Sequence, residues 1–180
     1  MLSSNQQIDF LRYFREGKEE GFTYFFNLLF RPLCLFAKTY TKDSQAAEDI
    51  VVDSLINLWA KKEIFDTETS LKNYLYRCVY NASIRWLENQ KRYKKHHDRY
   101  KHQLTTTEQA YIGNIIKAET LNLLHKAIHQ LPSQCKKIFT KVYIEGKSVS
   151  ETAQEMNLSI STVKNQKARG IKLLKPKLAT

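Results

Sequence analysis

The residues best suited to contact another molecule lie near the end of the chain, and they are hydrogen-bond donors rather than catalytic groups. From Ser159 onward there are six Lys/Arg and no Asp or Glu. On a helix, Asn, Arg and Lys can reach base edges and phosphates in the DNA major groove. The alternative is a solvated basic face on an ordinary packed helix. The donors that would share one helical face are Ser161, Thr162, Asn165, Arg169 and Lys172.

A tight helical turn would hold this face in position. Ser148, with Glu151 three residues later, matches a capping box and predicts a helix from about Ser148 to Met156. Asn157 tolerates the left-handed backbone that a tight turn needs, and Leu158 can pack between the two helices. The spacing therefore predicts a helix-turn-helix.

The second helix of this pair is predicted to begin at a Ser159 or Ser161 cap and to end at about Lys175, before Pro176. Its buried side should carry residues at intervals of three and four. Those residues are Val163, Lys167, Ile171 and Leu174, with the Lys167 stem lying along the stripe.

Charge is distributed unevenly along the 180 residues, whose formal net charge is +11. Residues 1–70 carry 8 Lys/Arg and 11 Asp/Glu, whereas residues 71–180 carry 21 and 7. This asymmetry indicates that the later part of the chain meets a polyanion and the first part meets something else. With 42% hydrophobic residues, the composition is that of a folded protein.

Several other classes of protein are not supported. No apolar run reaches membrane-spanning length, and the polar start is not a secretory signal. Cys34, Cys78 and Cys135 have no metal-type spacing, which favours buried thiols in a reducing cytoplasm. The histidines at 96, 97 and 102 lack partners for a zinc site. No catalytic motif, cofactor site or metal site is predicted, so we expect a protein that is not an enzyme.

The periodicity predicts an all-α protein, since there are only five glycines, three prolines and no sustained alternation. We expect two small helical domains, residues 1–95 and 115–180, joined by a flexible linker at 96–114. Pro32 should kink or break the second helix near Phe30 and Arg31. The predicted helices are 8–15, 22–40, 45–62, 71–93, 115–130, 132–144 and the final pair.

The helix at 45–62 has two apolar lines and an acidic start. Ala47, Val51, Leu55 and Leu58 form the first line. Either this helix is central to its own bundle, or its second line is a docking face for another protein. The residues of that second face are the apolar Val52, Ile56 and Trp59 with the acidic Glu48, Asp49 and Asp53.

The helix at 71–93 interleaves basic and aromatic residues, which can bind phosphates while stacking unpaired bases. Taken alone, ordinary amphipathic packing with a charged end also explains the pattern. The candidate nucleic-acid residues here are Tyr76, Arg77, Tyr80, Asn81, Arg85, Lys91 and Arg92.

Three stretches in the same order resemble the sigma-70 family of bacterial transcription initiation factors, in its extracytoplasmic function (ECF) group. AEDIVVDSLINLWAKK at 47–62 resembles regions 2.1–2.2, and SLKNYLYRCVYNASIRWLENQKR at 70–92 resembles regions 2.3–2.4. LPSQCKKIF at 131–139, followed by the helix-turn-helix, resembles region 4. The resemblance covers residues 10–175.

The resemblance implies a set of roles. The 47–62 helix would bind the clamp helices of the RNA polymerase β′ subunit. The loop 66–70 and the 70–92 helix would recognise and melt the −10 promoter element, with flipped bases captured near Asn81. The final helix would read the −35 element, with Lys164 and Gln166 added to its donors, while its domain touches the β flap. The linker would run toward the RNA exit path, and an anti-sigma factor would be a further partner.

Three residues depart from the family pattern. Thr152 stands where Ile or Val is usual, Lys167 where an apolar residue is usual, and Gln166 where many members have Arg. Two other functions compete with a sigma factor. A stand-alone helix-turn-helix regulator would dimerise on a palindromic site, but it gives the 45–62 helix no task. A nucleic-acid-processing enzyme lacks candidate chemistry.

Overall fold

The computed structural model describes residues 4–61, 63–94 and 107–178, and within these ranges the regular structure is entirely helical. The chain divides into two compact units, 1–119 and 120–180. In chain order the helices are α1 (Ser4–Arg15), α2 (Glu19–Thr41), α3 (Ser44–Lys61), α4 (Glu68–Lys94), α5 (Glu108–His129), α6 (Ser133–Phe139), a π-helical turn (Thr140–Ile144), α7 (Val149–Glu155) and α8 (Ile160–Leu178).

Helix α2 is the centre of the first unit, since it packs against α1, α3 and α4. Its apolar residues recur at helical spacing, and Phe25, Leu29, Leu33 and Phe36 are all buried. The predicted break at Pro32 does not occur, because α2 runs unbroken from Glu19 to Thr41. The packing of α2 against three helices compensates for the free energy lost with the backbone hydrogen bond that Pro32 cannot make.

The first half of α5, residues 108–119, is part of the first unit. Its Ala118 is 1% exposed, and Tyr111 and Ile115 pack against the same core. The helix therefore begins within the segment predicted to be a linker, and the division between the units falls after Glu119. Residues 95–106 lie outside the described residues, as do the three histidines at 96, 97 and 102.

The second unit contains the predicted helix-turn-helix, and its local geometry is confirmed. The Ser148 hydroxyl accepts a hydrogen bond from the Glu151 amide, and the Ser148 amide donates one to Glu151 Oε2, which completes a capping box. Asn157 has φ 51°, in the left-handed region. Ser159 caps α8 through a 3.1 Å bond from the Thr162 amide. The chemistry of these few residues fixes the turn.

The buried side of α8 differs in part from the prediction. Val163 and Leu174 are buried as expected, but Ile171 is 46% exposed. Gly170 occupies the central position instead, where a Cβ would lie 3.1 Å from Cys135 Sγ and 3.2 Å from Phe139 Cδ2. Because glycine has no side chain, Cys135 and Phe139 of α6 can approach α8 closely at Gly170. The buried side of α8 therefore includes Gly170, and Ile171 lies at the surface.

Thr152 is fully buried, although its side chain is polar. Its hydroxyl donates a 2.9 Å hydrogen bond to the Ser148 carbonyl, one turn earlier. A buried hydroxyl that has a hydrogen-bond partner costs little free energy, so threonine is tolerated at this buried position.

None of the described helices is long and apolar enough to cross a membrane. Cys135 is buried, Cys34 and Cys78 are half-buried, and all three are free thiols. Among the described residues, no group of three or more His, Cys, Asp or Glu could hold a metal ion.

Candidate nucleic-acid and protein interfaces

Helix α8 presents an exposed face of donors. Lys164, Asn165, Arg169 and Lys172 are all exposed, and Asn165, Arg169 and Lys172 recur at intervals of four and three. Such a face can lie along a groove with amide and guanidinium groups toward base edges and ammonium groups toward phosphates.

The start of α8 is organised differently, because its hydroxyls also serve the helix cap. Ser159 Oγ lies 2.8 Å from both Ser161 Oγ and Thr162 Oγ1. Thr162 is half-buried, while Ser161 is exposed. Ser161 therefore keeps access to a partner, and Thr162 is engaged chiefly in the helix-turn-helix itself.

Gln166 and Lys167 lie at the edge of the donor face. Gln166 is half-buried, and its backbone carbonyl accepts a 3.2 Å hydrogen bond from Cys135 Sγ. The Lys167 ammonium lies 5.8 Å from the Tyr143 ring centroid, within cation–π distance. Lys167 is thus a neighbour of the π-helical turn, where its ammonium group has an aromatic partner.

A second donor-rich line runs along α4. Arg77, Asn81 and Arg85 follow one another at intervals of four and are all exposed, as is Arg92 further on. Arg85 Nε donates a 3.3 Å hydrogen bond to the backbone carbonyl of Asn81. Lys91, also predicted for this face, is half-buried. These exposed residues are accessible to a partner, and their role as a nucleic-acid face stays a prediction.

Tyr76, also predicted as a DNA contact, does not lie on this exposed face. It is fully buried, and its hydroxyl donates a 2.7 Å hydrogen bond to Glu119 Oε1. Burial, and then the bond to Glu119, raise the pKa of its phenol far above the usual value. Successive residues of a helix are rotated by about 100°, so the residue next to Arg77 can face the core while Arg77 faces solvent.

Tyr80 is half-buried, so only part of its ring is accessible to a binding partner. Its ring meets those of Tyr40 and Tyr111 edge-on, each at a centroid distance of 5.3 Å. The Arg77 guanidinium lies 5.7 Å from the Tyr111 ring centroid. Sequence reasoning missed Tyr111, because its position in a predicted linker gave no signal that it returns to α4.

The outer face of α3 combines exposed apolar and acidic groups. Ile56 is 52% exposed and Val52 is half-buried. Glu48, Asp49 and Asp53 are exposed. An exposed isoleucine bordered by carboxylates is suited to a protein partner with an apolar and basic surface.

Trp59 is shared between that face and the core. Its ring lies 5.2 Å from the Phe14 and Phe22 centroids, and the side chain is half-buried. The predicted second apolar line is therefore real on α3, but its tryptophan also anchors α1 and α2.

The loop before α4 is held by contacts to other elements. The Arg15 guanidinium donates to the Phe65 carbonyl, and the Tyr74 hydroxyl donates to Glu63 Oε1 at 2.7 Å. Asp66 and Thr67 remain exposed next to the start of α4. The loop predicted at 66–70 is shorter than expected, because residues 68–70 form the first turn of α4.

Comparison with family models decides among the competing functions. Residues 25–93 match the model described as Sigma-70 region 2, and residues 121–174 match the one described as Sigma-70, region 4. The chain belongs to the sigma-70 family.

Its relatives place this sigma factor in the ECF group. It is 24% identical to the ECF RNA polymerase sigma factor SigX of Bacillus subtilis over 166 residues, covering 87% of this chain and 83% of that protein. It is also 24% identical to the ECF RNA polymerase sigma factor SigM of Mycobacterium tuberculosis over 155 residues, 85% and 74% of the two chains.

A solved structure, that of CnrH in complex with the cytosolic domain of CnrY, aligns over 96% of both chains. Its sequence identity to this chain is 17% and its TM-score is 0.39.

Membership confirms the predicted family, the all-helical fold with regions 2 and 4, and the role in promoter-specific initiation. A sigma factor binds core RNA polymerase and promoter DNA and is not an enzyme. The stand-alone regulator and the nucleic-acid-processing enzyme are therefore set aside.

Proposed function

We propose that the two exposed donor lines, on α4 and on α8, read the two promoter elements. The main support for this assignment is that each donor line belongs to a different compact unit and is exposed at regular helical spacing. In this assignment Arg77, Asn81 and Arg85 contact the −10 element. Asn165 and Arg169 read the −35 element, with Lys164 and Lys172 on its phosphates.

Melting at −10 is supported by a simple energetic comparison. Opening a duplex costs about 1.4 kcal/mol per base-pair step on average. Stacking an extruded base on a protein surface returns about 1–3 kcal/mol. A few bases captured near Asn81, Asp66 and Thr67 would therefore offset the opening of a few base pairs. The partly exposed ring of Tyr80 is the stacking surface on this face.

Helix α3 is the proposed polymerase-binding element. Ile56, with Val52 and the free edge of Trp59, would fill an apolar groove on the β′ clamp helices, and Glu48, Asp49 and Asp53 would pair with basic groups around it. The region 4 unit would contact the β flap.

An anti-sigma factor would act by covering these surfaces. The outer face of α3 is apolar at its centre and acidic at its edge, so a partner with the reverse charge could compete with core polymerase. Because core polymerase is cytoplasmic in bacteria, we place the sigma factor there as well.

Purified protein, core RNA polymerase and run-off transcription on genomic promoter fragments test the proposal. Binding to core and transcription from a defined subset of fragments are expected. Failure to bind core polymerase, together with the absence of any transcript, would contradict the assignment. A complex that binds core polymerase but opens no promoter would contradict only the assignment of the α4 donor line to the −10 element.

A further inference from the structure

Ile64 lies in the loop before α4, and it is the most exposed large apolar residue among those that the structure describes. It is 77% exposed, whereas Ile116, the next most exposed in the first unit, is 60% exposed. A single exposed isoleucine is common on protein surfaces and needs no explanation by itself. Ile64 differs from such a residue because both of its neighbours in the chain are held in place.

Those neighbours, Glu63 and Phe65, are both bound to Tyr74 of α4. Glu63 Oε1 accepts a 2.7 Å hydrogen bond from the Tyr74 hydroxyl, and the Phe65 ring centroid lies 5.4 Å from that of Tyr74. Phe65 is buried, and its carbonyl accepts hydrogen bonds from Nε and Nη2 of Arg15, the first of them 3.0 Å long. Because both neighbours contact Tyr74, Ile64 is presented to solvent from a fixed stretch of backbone.

Tyr74 lies on the same side of α4 as the donor line proposed for the −10 element. Residues seven and eleven positions apart on a helix share one face, so Tyr74 is in line with Asn81 and Arg85. Arg77 is one turn from Tyr74 along the same side. The loop that covers Tyr74 is therefore continuous with the N-terminal end of the donor line, and Ile64 is its exposed apolar group.

An apolar group at the end of such a line can favour the opening of DNA. Opening exposes the flat face of the last intact base pair, which was stacked on its neighbour in the closed duplex. Proteins that unstack DNA insert apolar side chains, isoleucine among them, at such steps. Asp66 and Thr67, which follow Ile64 and are exposed, offer acceptors for the amino groups of extruded bases.

We propose that Ile64 is a wedge residue, which packs in the promoter complex on the base pair that borders the melted segment. Arg15 and Tyr74 are the positioning residues that hold its loop. The inference rests on the assignment of the α4 donor line to the −10 element. It adds a contact that the donors cannot make, because they bind base edges and phosphates whereas Ile64 covers the apolar face of a base pair.

Core polymerase is the competing partner, since an apolar residue beside carboxylates is also proposed to bind it on the outer face of α3. The carboxylates beside Ile64 are fewer. Glu63 is engaged by the Tyr74 hydroxyl, which leaves Asp66 as the exposed one next to the isoleucine. Continuity with the α4 donors then favours DNA.

Promoter opening on duplex and pre-melted templates tests the wedge. Both templates carry a promoter fragment that wild-type holoenzyme transcribes, and the second has a non-complementary −10 segment. At saturating holoenzyme, Ile64→Ser should slow the appearance of permanganate-reactive thymines on the duplex about tenfold. On the pre-melted template no opening step remains, so transcription should stay within about twofold of wild type. Ile64→Leu keeps the apolar surface and should open the duplex as wild type does.

Ile116→Ser is the matched control, because it is the same substitution at another exposed isoleucine of the first unit. It should open the duplex template at the wild-type rate. Tryptophan-monitored unfolding in urea should give the same midpoint for both serine variants and wild type, since neither isoleucine is buried.

Arg15→Gln tests how the loop is positioned. It removes the donors to the Phe65 carbonyl, and opening of the duplex should slow about threefold. Arg12→Gln, three residues earlier on α1, should leave the rate unchanged. If Arg15 acts through Ile64, the double variant Arg15→Gln/Ile64→Ser opens no more slowly than Ile64→Ser alone, whereas independent roles would multiply the two effects.

The outcomes separate the wedge from the proposed function. Opening at the wild-type rate by Ile64→Ser, or an equal defect on the pre-melted template, overturns the wedge. Weaker core binding by Ile64→Ser, with normal opening once holoenzyme has formed, also overturns it and assigns Ile64 to polymerase. A defect with Asn81→Ala but not with Ile64→Ser leaves the −10 assignment in place. If neither variant slows opening, that assignment fails together with the wedge.

Discussion

Replacing Gly21 by alanine tests how α1 is held against α2. A Cβ on Gly21 would lie 2.3 Å from the Phe14 nitrogen and 2.6 Å from the Tyr13 carbonyl carbon. Both are backbone atoms, so no side-chain rotation can relieve the overlap. The end of α1 must move away by about 1 Å to reach ordinary van der Waals distance.

The movement has a calculable cost. Leu11 and Phe14, which are 7% and 3% exposed, attach α1 to the core. Full burial of such side chains contributes about 1.5–3 kcal/mol each, and a partial displacement loses about half of the sum. Alanine gains at most about 1 kcal/mol in helix propensity over glycine. The net expectation is a loss of about 0.5–2 kcal/mol in the free energy of unfolding.

Urea denaturation followed by tryptophan fluorescence measures this loss. The only two tryptophans of the sequence, Trp59 and Trp86, both belong to the first unit, so the signal reports that unit. At a slope of about 1–2 kcal/mol per molar urea, the midpoint should fall by about 1 M.

Gly113→Ala is the matched control, because it is the same substitution in a helix of the same unit. A Cβ there would meet nothing within 4 Å. Helix propensity then acts alone, and the midpoint should rise by about 0.5 M. Equal shifts of the two variants, in either direction, would refute the reasoning from close backbone approach.

Four further predictions concern the surfaces. Asn165→Ala and Arg169→Ala should each change base preference at −35 by about 1–3 kcal/mol in competition binding, with core affinity unchanged. Ile56→Glu should weaken core binding about tenfold, while Asn57→Glu beside it should not. Asn81→Ala should reduce permanganate reactivity at −10 without changing −35 occupancy. Hydrogen bonds from Lys141 and Lys147 lower the pKa of Glu155 from 4.5 to about 2. The contribution of the Glu155 carboxylate to stability is therefore present above pH 4.5 and is lost as pH falls toward 2. An NMR titration of the Glu155 carboxyl group with its midpoint near pH 4.5 would contradict this prediction.

The local structure of the helix-turn-helix was predictable because it depends on residues close in sequence. Ser148 with Glu151, Asn157, and Ser159 each act on neighbouring backbone groups, so their chemistry is visible without knowing the fold. The helices themselves follow from apolar periodicity for the same reason.

Features that depend on distant partners were not predictable. Pro32 suggested a break, but packing against three helices keeps α2 continuous. Gly170 carried no apolar signal, although its lack of a side chain admits Cys135 and Phe139. Tyr76 looked like part of a surface stripe because its acceptor, Glu119, lies 43 residues away.

The same distinction applies to the candidate sites. The exposed donors of α4 and α8 could be chosen from spacing and charge alone. The covering of Tyr80 by Tyr111 could not, since a polar segment before α5 gives no indication of where the helix returns.

The three thiols have a consequence for chemical labelling. Burial raises the pKa of Cys34 to about 12 and also raises the pKa of Cys78 and Cys135. At pH 7 these thiols are therefore protonated, whereas alkylating reagents attack the thiolate form. A cysteine introduced at an exposed site such as Ala168→Cys should therefore accept a maleimide probe selectively, with the native thiols left in place.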